Sequence, residues 1–234
     1  MLNRLAPYAG ALLLLQGLTA CSRENDAAQQ PSQGSSSDAV AAQAPVADGK
    51  LILAFGDSLY AGYGVEPRQS FPAMLEQSLR KDGLAVSVQN AGVSGDTTAA
   101  ALRRLAFTMD GLPRKPDLAM VNLGGNDMLR GIDPTETRKN LTAICEELHK
   151  RGIPIMLTGM VAAPNMGKDY AARFNPIYGD LAERYDAVLY PFFLDGVITK
   201  PELMQADSVH PKPQGIALIT SRVEPLVAKA LNRP

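Results

Sequence analysis

Ser58 ends the stretch Leu-Ile-Leu-Ala-Phe-Gly-Asp-Ser that begins at Leu51. A serine hydroxyl is a weak nucleophile until a base removes its proton. The chain has two histidines, His149 and His210. His149 falls in the last turn of a helical pattern, where a cation meets the helix dipole favourably, a structural position. His210 falls in a loop three residues after Asp207, held by Pro211 and Pro213, a setting that suits a positioned base. An imidazole ordinarily titrates near pH 6.5, in range for a base near neutrality. Asp207 could fix its tautomer and stabilise its cation. Attack on an acyl carbon creates an oxyanion that needs preorganised donors. The backbone N–H groups of Ser58 and Gly95 and the side-chain amide of Asn126 are the candidates. Asp57 and Asp127 adjoin these positions and read as turn supports rather than proton carriers.

These residues need a scaffold that brings them to one place. From Lys50 onward, short apolar runs alternate with amphipathic ones, the rhythm of βαβ units forming a parallel sheet with helices on both faces. Strands are expected near Leu51–Phe55, Val86–Asn90, Leu118–Leu123, Pro154–Thr158 and Val188–Tyr190. Helices are expected near Ser70–Lys81, from Gly95 through Leu105, from Pro134 to about Arg151, after Gly167 to about Tyr185 with a disturbance at Pro176, and over Pro213–Leu231. Asp96 and Thr97 are expected to cap the second of these helices. Asp133 and Glu136 are expected to form a capping box on the third. Ser58, Gly95 and Asn126 each follow a strand. Ligands of open α/β sheets bind beyond the carboxyl ends of their strands, so all three belong to one edge.

Four segments resemble, in order, the motif blocks of the GDSL/SGNH hydrolase family: Phe55-Gly-Asp-Ser-Leu59, Gly92 to Thr97, Gly124-Gly-Asn-Asp127 and Asp207-Ser-Val-His210. The set is most similar to the bacterial periplasmic thioesterase, lysophospholipase and arylesterase branch, over about residues 50–231. The resemblance implies a three-layer α/β/α, flavodoxin-like fold with a five-stranded parallel sheet. It also implies hydrolysis of ester or thioester bonds with no metal and no cofactor. It makes Ser58 the nucleophile, Gly95 and Asn126 oxyanion donors, Asp207 the orienter and His210 the base. The G-x-S-x-G elbow of α/β-hydrolases is absent around Ser58. Met128, Leu129, Met160, Val161 and Pro164 could line an acyl groove, or serve simply as loop and core residues. Two other readings use the same residues: a carbohydrate O-acetyl esterase, and a catalytically silent lipoprotein that binds acyl or glycan ligands.

The chain of 234 residues is 46% hydrophobic with a net charge of −1, enough for one sizeable core and without the basic surface of a nucleic-acid binder. It is expected to act as a monomer on a small acyl substrate. Residues 1–20 read as a signal peptide, with Arg4 before a short apolar run. The end of that segment, Leu18-Thr-Ala-Cys21, resembles the lipobox of bacterial lipoproteins, with Cys21 as the lipidated residue; an ordinary signal peptide is the alternative. Residues 21–49 are rich in Ala, Gln, Ser and Pro and read as a disordered linker with a reach of roughly 30 Å. The globular domain is expected over 50–234. The expected location is the periplasm, anchored to the membrane by lipid (the outer membrane, because Ser22 follows the cysteine), or soluble there without the lipid. Cys145 lies on an apolar helical stripe with Leu141, Ile144 and Leu148 and reads as a buried structural thiol.

Overall fold

The computed structural model describes residues 49–232. The expected signal peptide, Cys21 and nearly all of the expected linker lie outside the described residues.

Five strands form one parallel sheet in the order β2-β1-β3-β4-β5. In chain order the elements are β1 (Lys50–Gly56), α1 (Ser58–Ala61), α2 (Phe71–Lys81), β2 (Val86–Gly92), α3 (Thr98–Asp110), β3 (Leu118–Asn122), α4 (Gly125–Leu129), α5 (Pro134–Lys150), β4 (Ile155–Thr158), α6 (Lys168–Phe174), α7 (Ile177–Arg184), β5 (Val188–Tyr190) and α8 (Pro213–Leu231). β1 is buried from Leu51 onward, and β3 and β4 are buried throughout. A strand covered on both faces cannot alternate apolar with polar, so these read as unbroken apolar runs. On one side α2 packs against α8; on the other α3 packs against α5. This is the expected α/β/α arrangement. Among the described residues no helix is long and apolar enough to cross a membrane.

The chain leaves β1 in one direction to form β2, then crosses to build β3, β4 and β5 on the other side. The strand order reverses between β1 and β3, and the crevice at such a reversal is where open α/β sheets hold ligands. Residue pairing brings Gly56 beside Asn122, so the turns that follow the two central strands start level with each other.

Two local expectations need correction. Thr97 alone caps α3, its hydroxyl accepting from Ala100 N–H; the carboxylate of Asp96 instead takes the Arg104 guanidinium at 2.6 Å. Asp133 caps α5 through Thr135 N–H at 2.8 Å, whereas the Glu136 carboxylate turns outward to Lys139, so no reciprocal capping box is made. The helix expected before Tyr185 is disturbed at Pro176 as anticipated: it is two helices, α6 and α7, parted at Asn175–Pro176, because a proline ring inside a helix removes a donor and clashes with the preceding turn. Cys145 is fully buried in α5, as expected, and desolvation pushes its thiol up to about 12.

Candidate active site

The β1 run stops at Gly56 because Asp57 begins a turn. Asp57 Oδ1 accepts Leu59 N–H at 3.0 Å, capping the one-turn helix α1, of which Ser58 is the first residue. The turn is rooted from below. Tyr60 is fully buried, stacks on Phe71 at 5.1 Å between centroids, and shares a hydrogen bond with the Thr158 hydroxyl at 2.9 Å. Asn122, at the end of β3, donates to the Thr158 carbonyl at 2.9 Å and accepts Asp57 N–H at 3.2 Å. The ends of β1, β3 and β4 are therefore fixed to one another directly beneath Ser58.

His210 lies 152 positions further on, in the loop between β5 and α8, and its Nε2 is 2.8 Å from Ser58 Oγ. Its Nδ1 is 2.6 Å from Asp207 Oδ2. A carboxylate only accepts hydrogen bonds, so Nδ1 carries the proton and Nε2 is left to accept from Ser58 Oγ–H. The other oxygen, Asp207 Oδ1, accepts the backbone N–H groups of Val209 at 2.9 Å and His210 at 3.0 Å. Partial desolvation pushes the Asp207 carboxyl up, but the His210 ring and these two N–H groups outweigh it and hold the group at about 2. The loop closes on itself through Gln205 N–H to the His210 carbonyl at 2.8 Å, with Ser208 in the left-handed region at φ 57°. The ring of Tyr63 lies against the His210 ring, 4.5 Å between centroids, and Gln205 Nε2 holds the Tyr63 carbonyl at 2.8 Å.

Gly95 and Asn126 sit on neighbouring turns joined by two staples. Arg130, just after α4, donates to the Gly95 carbonyl at 2.8 Å. Asp127, fully buried on α4, accepts Thr98 N–H at 2.8 Å and also the hydroxyls of Thr98 and Thr137. Asp127 thus supports the turn after β2 rather than its own. Gly95 has φ 84°, where a side chain is strained. Gly124, at φ 106°, leaves no room for a Cβ beside the Tyr178 hydroxyl, which donates to the Leu123 carbonyl at 2.8 Å. Arg104 ties the Gly95 turn to the turn that carries Ser58. It grips Asp96, donates to the Gly56 carbonyl at 3.0 Å, and lies 4.3 Å over the Phe55 ring.

A cavity of about 400 Å³ opens beside Ser58 and His210. Met128, Leu129, Met160, Val161 and Pro164 all line it, as do Ala163, Phe192, Leu194, Ile198 and Val209. Asp57 and Asn126 form part of its wall, while Gly95 and Asp207 lie outside the lining. Ala163 N–H rests on Met128 Sδ at 3.1 Å, joining the loop after β4 to α4. Among the described residues no group of three or more His, Cys, Asp and Glu side chains is placed to hold a metal ion.

Sequence reasoning missed Tyr63, Arg104 and Arg130 as neighbours of the site. Arg104 stands eight residues after Asp96 and Arg130 thirty-five after Gly95; nothing local signals either contact. Phe192, in the run Pro191-Phe-Phe that directly follows β5, also lines the cavity.

The family model of the GDSL-like lipase/acylhydrolase family matches residues 54–218. The chain is 39% identical over 180 residues to an arylesterase of Vibrio mimicus, spanning 77% of this chain and 89% of that protein. It is 35% identical over 189 residues to thioesterase 1/protease 1/lysophospholipase L1 of Escherichia coli K12, spanning 79% of this chain and 88% of that protein. Among solved structures, AlinE4, an SGNH-hydrolase family esterase, is 53% identical, covers 80% of this chain and 98% of its own, and superposes with a TM-score of 0.67.

Proposed function

The chain belongs to the GDSL-like lipase/acylhydrolase family, and from that premise we propose that Ser58, His210 and Asp207 hydrolyse acyl esters and thioesters through an acyl-enzyme. The protein is a serine ester hydrolase acting on small-molecule esters. The observation that carries the residue assignment is the unbroken relay Ser58 Oγ, His210 Nε2, His210 Nδ1, Asp207 Oδ2, with its hydroxyl at the mouth of an apolar cavity.

His210 Nε2 takes the proton as Ser58 Oγ bonds to the acyl carbon. The carbonyl electrons move to oxygen, and the resulting oxyanion accepts hydrogen bonds from the backbone N–H groups of Ser58 and Gly95 and from Asn126 Nδ2. His210 passes its proton to the leaving alkoxide or thiolate as that bond breaks. Water then gives a proton to His210 Nε2 and attacks the acyl-enzyme, and the proton returns to Ser58 as the acid departs. Asp207 stays ionised throughout and stabilises the imidazolium.

The acyl chain occupies the cavity between Met128, Leu129, Met160, Val161 and Pro164. A buried methylene is worth about 0.8 kcal/mol, so each carbon added to a p-nitrophenyl ester should raise kcat/KM about three- to fourfold until the cavity is full. An acetate optimum, with better turnover of acetylated sugars, would overturn this reading in favour of a carbohydrate O-acetyl esterase. Failure of a fluorophosphonate to label Ser58 would leave only the silent ligand-binding reading. The names of the two curated relatives add aryl esters, acyl thioesters and lysophospholipids to the substrate panel.

We further propose that Cys21 carries lipid and holds the enzyme on the periplasmic side of a bacterial membrane, the outer one in keeping with Ser22. The support is the sequence Leu18-Thr-Ala-Cys21 after a short apolar run. Mass spectrometry of the N-terminus after expression in bacteria should find an acylated cysteine; an unmodified N-terminus there removes the anchor.

A further inference from the structure

Asp57 is 2% exposed and uses both carboxylate oxygens. Oδ1 caps α1 by accepting Leu59 N–H at 3.0 Å, and Oδ2 accepts Asn126 Nδ2 at 3.2 Å across 69 positions of sequence. Capping needs only the first of these. Serine or asparagine caps a helix about as well, without placing a charge in the protein interior. Burial pushes the Asp57 carboxyl up to about 6, against the Leu59 N–H, the Asn126 amide and the His210 charge, which pull it down. The second oxygen therefore calls for an explanation other than the cap.

That explanation lies in the ambiguity of an amide. Asn126 has a donating end and an accepting end of nearly equal shape. An oxyanion hole works only if the donating end faces the reaction. An ionised carboxylate can only accept, so it admits one orientation of the amide: Nδ2 toward Asp57, with one N–H spent on Oδ2 and the other available to the cavity, which both residues line. We infer that Asp57 is a positioning residue whose carboxylate selects the orientation of the Asn126 amide, so that an N–H and never a C=O faces the oxyanion. This rests on the reading of Asn126 as an oxyanion donor. Protonation of Asp57 gives it a hydrogen to donate and allows the amide to turn over. The charges that face it are His210, which favours the ionised form, and Asp127, which opposes it.

Asp57→Asn keeps the shape and the cap but offers Asn126 an amide that can pair in either sense. Asp57→Ser keeps the cap and cannot reach Asn126. With p-nitrophenyl butyrate as substrate, both variants should lose about 10- to 100-fold in kcat with KM within about threefold, while circular dichroism and thermal unfolding show a folded protein. In Asp57→Asn the acid limb of kcat against pH should lose one ionisation. Asn126→Ala alone should lose about 100- to 1000-fold, and adding Asp57→Asn to it should cost no more than about twofold, since no amide is left to orient. An equal loss from Asp57→Asn in both backgrounds overturns the inference alone. Wild-type turnover in Asn126→Ala overturns the donor reading and the inference together.

Discussion

Ser58→Ala is expected to lower ester turnover by about 10⁴- to 10⁶-fold, with His210→Ala falling in the same range and the double variant no worse than either. The reason is geometric. On the proposed mechanism Ser58 Oγ is a nucleophile only while Nε2 of His210 stands 2.8 Å away to take its proton, and Ser58 Oγ is the hydrogen-bond partner of that nitrogen. Removing either atom ends covalent catalysis, so removing the second takes nothing further. The proposed oxyanion donors survive in all three proteins, and residual activity above the uncatalysed rate should persist. KM should change little, because the proposed acyl-chain contacts, Met128, Leu129, Met160, Val161 and Pro164, are left in place. The variants should also fold normally. His210 is the hydrogen-bond partner of the Ser58 hydroxyl, and the turn itself is held by Asp57, Tyr60 and Asn122. Steady-state turnover of p-nitrophenyl butyrate, with fluorophosphonate labelling as a check on contaminating esterase, measures this. Ser58→Ala working within tenfold of the parent protein would overturn the assignment of the nucleophile.

The physics that made the scaffold legible is the burial of central strands. β1, β3 and β4 are covered on both faces, so their sequences are unbroken apolar runs that stop where the chain turns. Ser58 after β1 and Asn126 after β3 could then be assigned to one edge from the sequence alone. β5 was found as well, though it is only three residues long and half-buried. The short helices α1 and α4 were not, because four or five residues are too few to show a period of 3.6. Local rules failed where a distant partner outbid a near one. Asp96 is well placed to cap α3, yet the Arg104 guanidinium takes its carboxylate and turns it into a bridge between two loops. Asp57 was correctly read as turn support, but its second oxygen meets a residue 69 positions away. Tyr63 against His210 is a contact of the same long-range kind. A single sequence reports periodicity and spacing; it does not report which residues of separate loops meet above the sheet.

Asp207→Asn is expected to reduce kcat by about 10⁴-fold, more than the loss of one charge at a half-exposed position suggests. The two carboxylate oxygens of Asp207 have different partners. Oδ1 is claimed by the N–H groups of Val209 and His210, and Oδ2 by the ring Nδ1–H. Asparagine has one accepting oxygen. Two backbone donors compete for it against one ring donor, so the carbonyl should stay with the backbone and the NH₂ should face Nδ1. Nδ1 must then accept, the ring proton moves to Nε2, and Nε2 can no longer receive the proton of Ser58. Asp207→Ala imposes no such tautomer, and it should retain more activity than Asp207→Asn even though it removes more atoms. The pH dependence follows from the same contacts. Asp207 titrates at about 2 in the fold, below its ordinary 3.8, so the stability contributed by its ionised form is present above about pH 4 and is lost as pH falls toward 2. No inflection of activity between pH 5 and 8 can then come from Asp207, and its substitution should lower the plateau of the pH–rate profile without removing the acid limb. Profiles of kcat for the parent, Asp207→Asn and Asp207→Ala measure both effects. If Asp207→Asn is within tenfold of the parent, or more active than Asp207→Ala, the carboxylate does not set the tautomer of His210.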